Sequence, residues 1–230
     1  MAILYDYKIN TGSINMAEDE RLLDIAITEK INEPILRLYG WSPSCVSLGR
    51  NQTAESINIE YCKKNNIDIV KRLTGGRGLL HDQELTYAFI CPETLLECNN
   101  SVIASYKEIS GALIEGFKEA GIILTFPENK KANTKFDYCM SISTGADLSY
   151  DDKKLIGSAQ LRKHSYILQH GSILFDYNPQ TIKEIFNENI DSESITTMKE
   201  INPKIKISDL SKHIISGFEK HFKISFTKQC

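Results

Sequence analysis

Lys154 follows Cys139 by fifteen positions in the stretch FDYCMSISTGADLSYDDKKLIGSAQLR. A glycine turn rich in basic residues, KRLTGGRGLLHD, lies upstream of both at Lys71 to Asp82. A thiol, a cation and a glycine turn are the parts of an acyl-transfer site. The thiol can hold an acyl group as a thioester and the lysine can stabilise negative charge on the acyl oxygen. The glycine turn lets backbone approach a ligand closely.

Within that turn, Gly75 and Gly76 permit positive φ and expose backbone N–H groups, while Arg72 and Arg77 carry fixed positive charge. Such a turn can hold a phosphate, a carboxylate or an acyl-adenylate. A plain strand-to-strand turn with solvated charges is the alternative, and the crowding of Arg72, Arg77, His81 and Asp82 weighs against it. His81 can act as a base or as a hydrogen-bond donor, and Asp82 could fix its tautomer. Adjacent side chains on an extended segment point to opposite faces, so Asp82 is expected to satisfy local backbone donors instead.

Lys154 enters a short apolar and small-residue segment, Leu155-Ile156-Gly157-Ser158-Ala159, where a lysine loses solvent and interacts strongly with a carbonyl oxygen or a thiolate. An exposed lysine in the charged turn that starts at Asp151 describes Lys153 better than Lys154. Cys139 belongs to a polar stretch with Lys130, Lys131 and Lys135, a setting that favours an accessible, low-pKa thiol. Cys45, Cys62, Cys91 and Cys98 sit in or beside apolar segments and read as inert. The three loop lysines suit either a solvated loop or a dock for an acidic carrier or lipoyl domain.

These groups need a scaffold. Met16, Leu23, Ile27 and Ile31 recur at helical spacing, predicting a helix over Asn15 to Ile31. Short β-like runs, Ile35 to Tyr39 and Cys45 to Leu48, are split by a turn at Gly40 to Pro43. A short helix follows at Ile57 to Asn65, then strands at Asp68 to Arg72 and Leu85 to Cys91. A long helix from Val102 is closed by Gly121, and Ile122 to Phe126 follows as a strand. Residues 127 to 144 read as a long loop. Further strands are expected at Lys154 to Ser158 and Tyr166 to Phe175. Asn178-Pro179 starts a helix through Phe186. Ser208 is read as the cap of a last helix whose apolar face is Leu210, Ile214, Phe218 and Phe222. The order fits one α/β (α+β) domain over residues 1–230, with a mixed, mainly antiparallel sheet, flanking helices and no separate C-terminal lobe.

Composition narrows the class. At 230 residues the chain can bury about 70% of its unfolded surface. Its 41% hydrophobic and 25% charged residues suit a soluble globular protein. A net charge of −3 argues against a nucleic-acid binder. The six cysteines contain no C-x-x-C pair, a poor pattern for structural zinc. MAILYDYKIN has no basic region ahead of an apolar core, so no signal peptide is expected, and no apolar run nears the ~20 residues that cross a bilayer. A cytoplasmic protein with no membrane partner is expected.

The chain resembles the lipoate/biotin protein ligase superfamily, in the branch of lipoate–protein ligases and octanoyltransferases. The matching segments run in order: Asn15-Met16-Ala17-Glu18-Asp19, Leu38-Tyr39-Gly40-Trp41, Ser47-Leu48-Gly49-Arg50-Asn51-Gln52, Arg72-Leu73-Thr74-Gly75-Gly76-Arg77, His81-Asp82, Lys154 to Gln160, and Leu168-Gln169-His170-Gly171-Ser172. The resemblance implies a class II synthetase-like fold, with the acyl chain in a tunnel between the glycine turn and the lysine strand. It implies that Lys154 contacts the acyl carbonyl and that Cys139 matches the acyl-carrying cysteine of one octanoyltransferase group. Arg72, Gly75, Gly76, Arg77, His81, Gly157 and Ser158 would bind substrate.

Lys71 stands where the family usually has the first arginine of a pair, and Met140 follows the cysteine where an aromatic is common. The implied reaction moves octanoyl from acyl carrier protein to a lysine of a lipoyl domain, such as the glycine cleavage H protein, with no cofactor and no metal. Alternatives are an ATP- and magnesium-dependent lipoate–protein ligase, an amidotransferase between lipoyl domains, and a non-catalytic acyl-binding protein.

Overall fold

The computed structural model describes residues 2–98, 101–127, 138–141 and 147–229. Ten strands and six helices alternate along it: β1 (Ala2–Asn10), α1 (Gly12–Thr28), β2 (Ile35–Trp41), β3 (Cys45–Leu48), α2 (Ile59–Lys64), β4 (Asp68–Lys71), β5 (Leu79–His81), β6 (Glu84–Pro92), α3 (Val102–Glu119), β7 (Leu148–Tyr150), β8 (Lys153–Lys163), β9 (Tyr166–Leu174), α4 (Pro179–Phe186), α5 (Met198–Ile201), α6 (Ile207–Phe222) and β10 (Phe226–Gln229). Lys130, Lys131 and Lys135 lie outside the described residues.

Seven strands form the main sheet in the order β10-β1-β2-β6-β9-β8-β7. The two junctions at the β10 edge are parallel and the remaining four are antiparallel. A smaller sheet, β4-β3-β5, mixes one parallel and one antiparallel pair. The mixed, mainly antiparallel sheet with flanking helices is therefore as the sequence predicts.

Period-two alternation along β6 explains the layering. Leu85, Tyr87 and Phe89 face the packed pair α3 and α6, meeting Ile109, Leu113, Ile214 and Phe218 in one core. Ala88 and Ile90 face the other way, onto Leu22, Leu23 and Ala26 of α1. Phe218 is wholly buried against Phe89 with ring centroids 4.8 Å apart, so its truncation to alanine costs about 3–5 kcal/mol. A third cluster joins the small sheet to α2 and α4 through Val46, Leu48, Cys62, Ile182 and Phe186.

Several boundaries differ from the sequence reading. Helix α1 starts earlier, because Thr11 takes the cap position and accepts from the Ile14 N–H. Gly40 and Trp41 continue β2, paired with Ile9 and Asn10 of β1, and the chain turns only at Ser42-Pro43. The run Ile122 to Phe126 is not a strand; its one ladder contact is Thr125 with Ser149. Lys206, not Ser208, occupies the cap of α6. After α6 the chain returns as β10 to cover the outer edge of β1. Both strands lack the continuous apolar run that marks β6 and β9.

Candidate active site

Cys139 is held from both sides by anchored neighbours. Tyr138 and Met140 are buried in the small-sheet cluster, and the Tyr138 ring packs on Phe186 at 5.0 Å. The methionine that departs from the family pattern thus fills core space. Between these anchors, Cys139 begins a single helical turn, Cys139–Ser141, and remains only partly buried. Its N–H donates to the Gly78 carbonyl at 2.8 Å, and its own carbonyl accepts from Lys154 Nζ at 3.0 Å. Both backbone groups of the thiol-bearing residue are therefore fixed.

Lys154 is 2% exposed on β8, and its ammonium pairs with the equally buried Asp147 carboxylate at 3.0 Å. Burial alone would lower the lysine pKa. The Asp147 charge, with a contribution from negative charge on Cys139 and the Asp147 hydrogen bond, outweighs it and raises the value. A cation therefore sits beside Cys139, bound to its backbone carbonyl, in a low-dielectric wall.

The glycine turn is stapled by one of its own arginines. Arg72 is buried, and its Nη1 donates to the Ser47 carbonyl and hydroxyl at 2.9 and 3.1 Å. Its Nη2 donates to the carbonyls of Gly75 and Arg77 at 2.9 and 2.7 Å. Burial lowers the Arg72 pKa. The guanidinium that the sequence offered to a ligand thus shapes the turn by binding its backbone. Of the glycine pair, only Gly76 has positive φ, at 94°.

His81 stacks on Trp41 with centroids 3.9 Å apart. Its Nδ1 lies 2.7 Å from Glu84 Oε1 and its Nε2 2.7 Å from Ser47 Oγ. Facing a carboxylate, Nδ1 carries a proton. Asp82 instead accepts from the Ser44 hydroxyl at 2.7 Å, and among the described residues no bond joins it to His81 or to a local backbone donor. Burial would raise the Glu84 carboxyl, but His81 and the hydroxyls of Ser172 and Thr86 hold it below the usual range. A second buried network ties α1 to the same wall. Asp19 binds Arg37, Tyr39 and His170, and His170 Nε2 lies 2.7 Å from Thr74 Oγ1 of the glycine turn.

Two connected cavities result. An inner one runs from Cys139 past Arg72 and His81 to Trp41 and Met16. An outer one is bounded by Gly75, Arg77, Tyr106, Asp147 and Lys154. Gly76, Cys139, Ser158 and Ala159 line both, so the thiol stands at their junction. Each sequence-predicted residue lines at least one: Arg72, His81 and Gly157 the inner, Gly75, Arg77 and Lys154 the outer, and Gly76, Cys139 and Ser158 both.

Asp147, Glu84 and Tyr87 carry no motif of their own in the sequence, and Ser47 appears there only at the start of a matching segment. The three-residue spacing of His81 and Glu84 was the one local signal available. Cys45 and Cys91 are buried and their thiols are pushed well up by desolvation, as expected of inert cysteines.

This arrangement, a cysteine at the junction of two cavities with a buried ammonium bound to its backbone, suits a protein that handles acyl groups. The lipoyl protein ligase A/B catalytic domain matches residues 11–219, and the chain is a member of that family. Octanoyltransferase LipM of Staphylococcus aureus is 37% identical over 239 residues, covering 96% of this chain and 85% of that protein. The Clostridioides difficile octanoyltransferase LipM is 34% identical over 232 residues, covering 94% and 85%. Among solved structures, a lipoate-protein ligase A bound with ATP shares the fold at a TM-score of 0.78 and 21% identity, over 99% of this chain and 87% of that one. A bi-partite lipoate protein ligase from Thermoplasma acidophilum matches at 0.78 and 18% identity, over 99% and 86%.

Proposed function

We propose that this protein is an octanoyltransferase of protein lipoylation that carries the acyl group on Cys139. The carrying observation is the position of Cys139 at the junction of the two cavities, with its backbone bound to Gly78 and to Lys154. An octanoyl chain bound through Cys139 would occupy the inner cavity. The donor thioester and later the acceptor amine would enter through the outer one.

The donor is octanoyl-acyl carrier protein. The Cys139 thiolate attacks the thioester carbonyl, the new carbon–sulfur bond forms, and the carrier leaves as a thiolate that takes up a proton. A lysine amine of a lipoyl domain, such as the glycine cleavage H protein, then attacks the acyl-enzyme. Its nitrogen keeps the acyl group as an amide, its proton is lost, and Cys139 is released. The Lys154 cation stabilises the oxyanion in each step, on the scale of roughly 3–4 kcal/mol for one well-placed donor. Neither ATP nor a metal enters this scheme. No helix among the described residues is long and apolar enough to cross a membrane. The reducing cytoplasm, where a single reactive thiol persists, is the proposed compartment.

Incubation with octanoyl carrier protein and no ATP should give an octanoyl mass adduct that hydroxylamine removes and that Cys139→Ala lacks. Modification of a lipoyl domain only from free acid, ATP and magnesium would replace this reading with a ligase.

A further inference from the structure

Tyr87, Gly171 and Ser158 lie side by side across β6, β9 and β8, directly opposite one another in register. A Cβ at Gly171 would stand 2.6 Å from the Tyr87 ring and 2.7 Å from Ser158 Oγ. Glycine at this place lets the Tyr87 phenol cross the central strand to reach Ser158 Oγ at 2.8 Å. Ser158 is partly buried and lines both cavities, as Cys139 does.

The polarity of that hydrogen bond is fixed from a distance. Arginine can only donate. Arg162 gives Nη2–H to Ser105 Oγ at 2.9 Å and Nε–H to Gln160 Oε1 at 3.4 Å, so the Gln160 oxygen faces the guanidinium. The Gln160 amide nitrogen then faces away and donates to Gln169 Oε1 at 3.0 Å. The Gln169 nitrogen in turn donates to the Tyr87 phenol oxygen at 2.9 Å. Tyr87 is wholly buried, and an unmet phenol hydrogen there is costly, so it donates to Ser158 Oγ. Burial also raises the Tyr87 pKa, which keeps the phenol protonated.

One direction is left for the Ser158 hydrogen, into the cavity junction. Resting on the acyl-transfer reading, we propose that Ser158 is a catalytic donor to the acyl oxygen, opposite in origin to Lys154. Tyr87, Gln169, Gln160 and Arg162 are positioning residues that set its direction. A donor whose hydrogen is already aimed needs no reorganisation when charge develops. The arrangement links a surface arginine to the reacting carbonyl through four hydrogen-bonded side chains.

Single-turnover acylation of Cys139 by octanoyl carrier protein, followed by intact mass, tests the proposal. Ser158→Ala should acylate roughly 100-fold more slowly, with little change in KM. Tyr87→Phe should slow acylation about five- to tenfold, the scale of one neutral hydrogen bond. The double variant should be no slower than Ser158→Ala, because Tyr87 acts through Ser158. In the isolated acyl-enzyme, the infrared band of a carbon-13-labelled thioester carbonyl should move to higher frequency in Ser158→Ala, a readout independent of rate and folding. A wild-type adduct with unchanged rates and an unmoved band in Ser158→Ala would overturn the role of Ser158 alone. So would a fully additive double variant. Absence of an adduct on wild type would overturn the acyl-enzyme reading, and this role with it.

Discussion

The Lys154 ammonium sits 3.0 Å from the backbone carbonyl oxygen of Cys139 and 3.0 Å from Asp147. The lysine therefore does two things at once. It positions the turn that carries the thiol, and it supplies positive potential beside the thiol. Substitution can separate these roles. Lys154→Met removes the cation that pairs with the buried Asp147 carboxylate, which should cost about 3–5 kcal/mol of stability and abolish the Cys139 adduct. Adding Asp147→Asn removes that carboxylate's charge. The double variant should regain most of the lost stability in thermal melts and still form no adduct. Recovery of acylation in the double variant would show that Lys154 matters only structurally.

Arg72 offers a second separation, between charge and shape. Its two terminal nitrogens reach four acceptors on Ser47, Gly75 and Arg77 in a planar fork. Lysine keeps the charge and loses the fork. Arg72→Lys should therefore raise hydrogen exchange across residues 73–80 and raise the KM for octanoyl carrier protein. Unchanged exchange would mean that the turn is held by its strand contacts, not by the guanidinium.

The glycine pair should respond unequally. A Cβ at Gly76 would lie 2.8 Å from Arg72 Nη2, on a residue already at a φ of 94°. At Gly75 the added carbon meets nothing within 4 Å. Gly76→Ala should lower stability by about 1–3 kcal/mol, and Gly75→Ala by less than about 0.5 kcal/mol. Equal losses in denaturant titrations would contradict the geometry of this turn.

Much of the site is legible in the sequence because its parts are local. The glycine turn, Cys139 and the Lys154 strand each carry a recognisable residue pattern, and all converge on one cavity junction. What the sequence hides is partnership across strands. His170 meets Asp19 and Tyr87 meets Ser158 through sheet register and helix packing, over separations of 151 and 71 residues that no local pattern records, and Asp147 meets Lys154 across the β7–β8 hairpin. Arg72 has a second role that a cation beside glycines does not reveal: it lines the inner cavity, and its buried guanidinium also binds the backbone of its own turn. Two of the missed strands, β1 and β10, fail for a simpler reason. Most of β1 beyond its first residues, and most of β10, faces solvent, so neither carries an apolar alternation.

Glu84 provides a test of the buried wall through pH. Its carboxylate is held below the usual range, against the cost of burial, by His81 and by the hydroxyls of Ser172 and Thr86. A carboxyl with a lowered folded pKa adds stability above its unfolded value, roughly 4.3 for glutamate, and loses it as pH falls through the folded value. Glu84→Gln should thus be less stable near neutral pH by about 1.5–3 kcal/mol, the worth of a charge-assisted hydrogen bond. For a chain of this length that lowers Tm by about 3–12 °C. The gap to wild type should close as pH drops below about 4, because only the wild type has a carboxylate left to protonate. Asp19, likewise lowered, remains in both proteins, so each should still lose stability in acid. Melting curves from pH 7 to pH 3 decide the matter: a gap that stays constant would mean that Glu84 is already neutral in the folded protein, and that His81 is positioned by an uncharged partner.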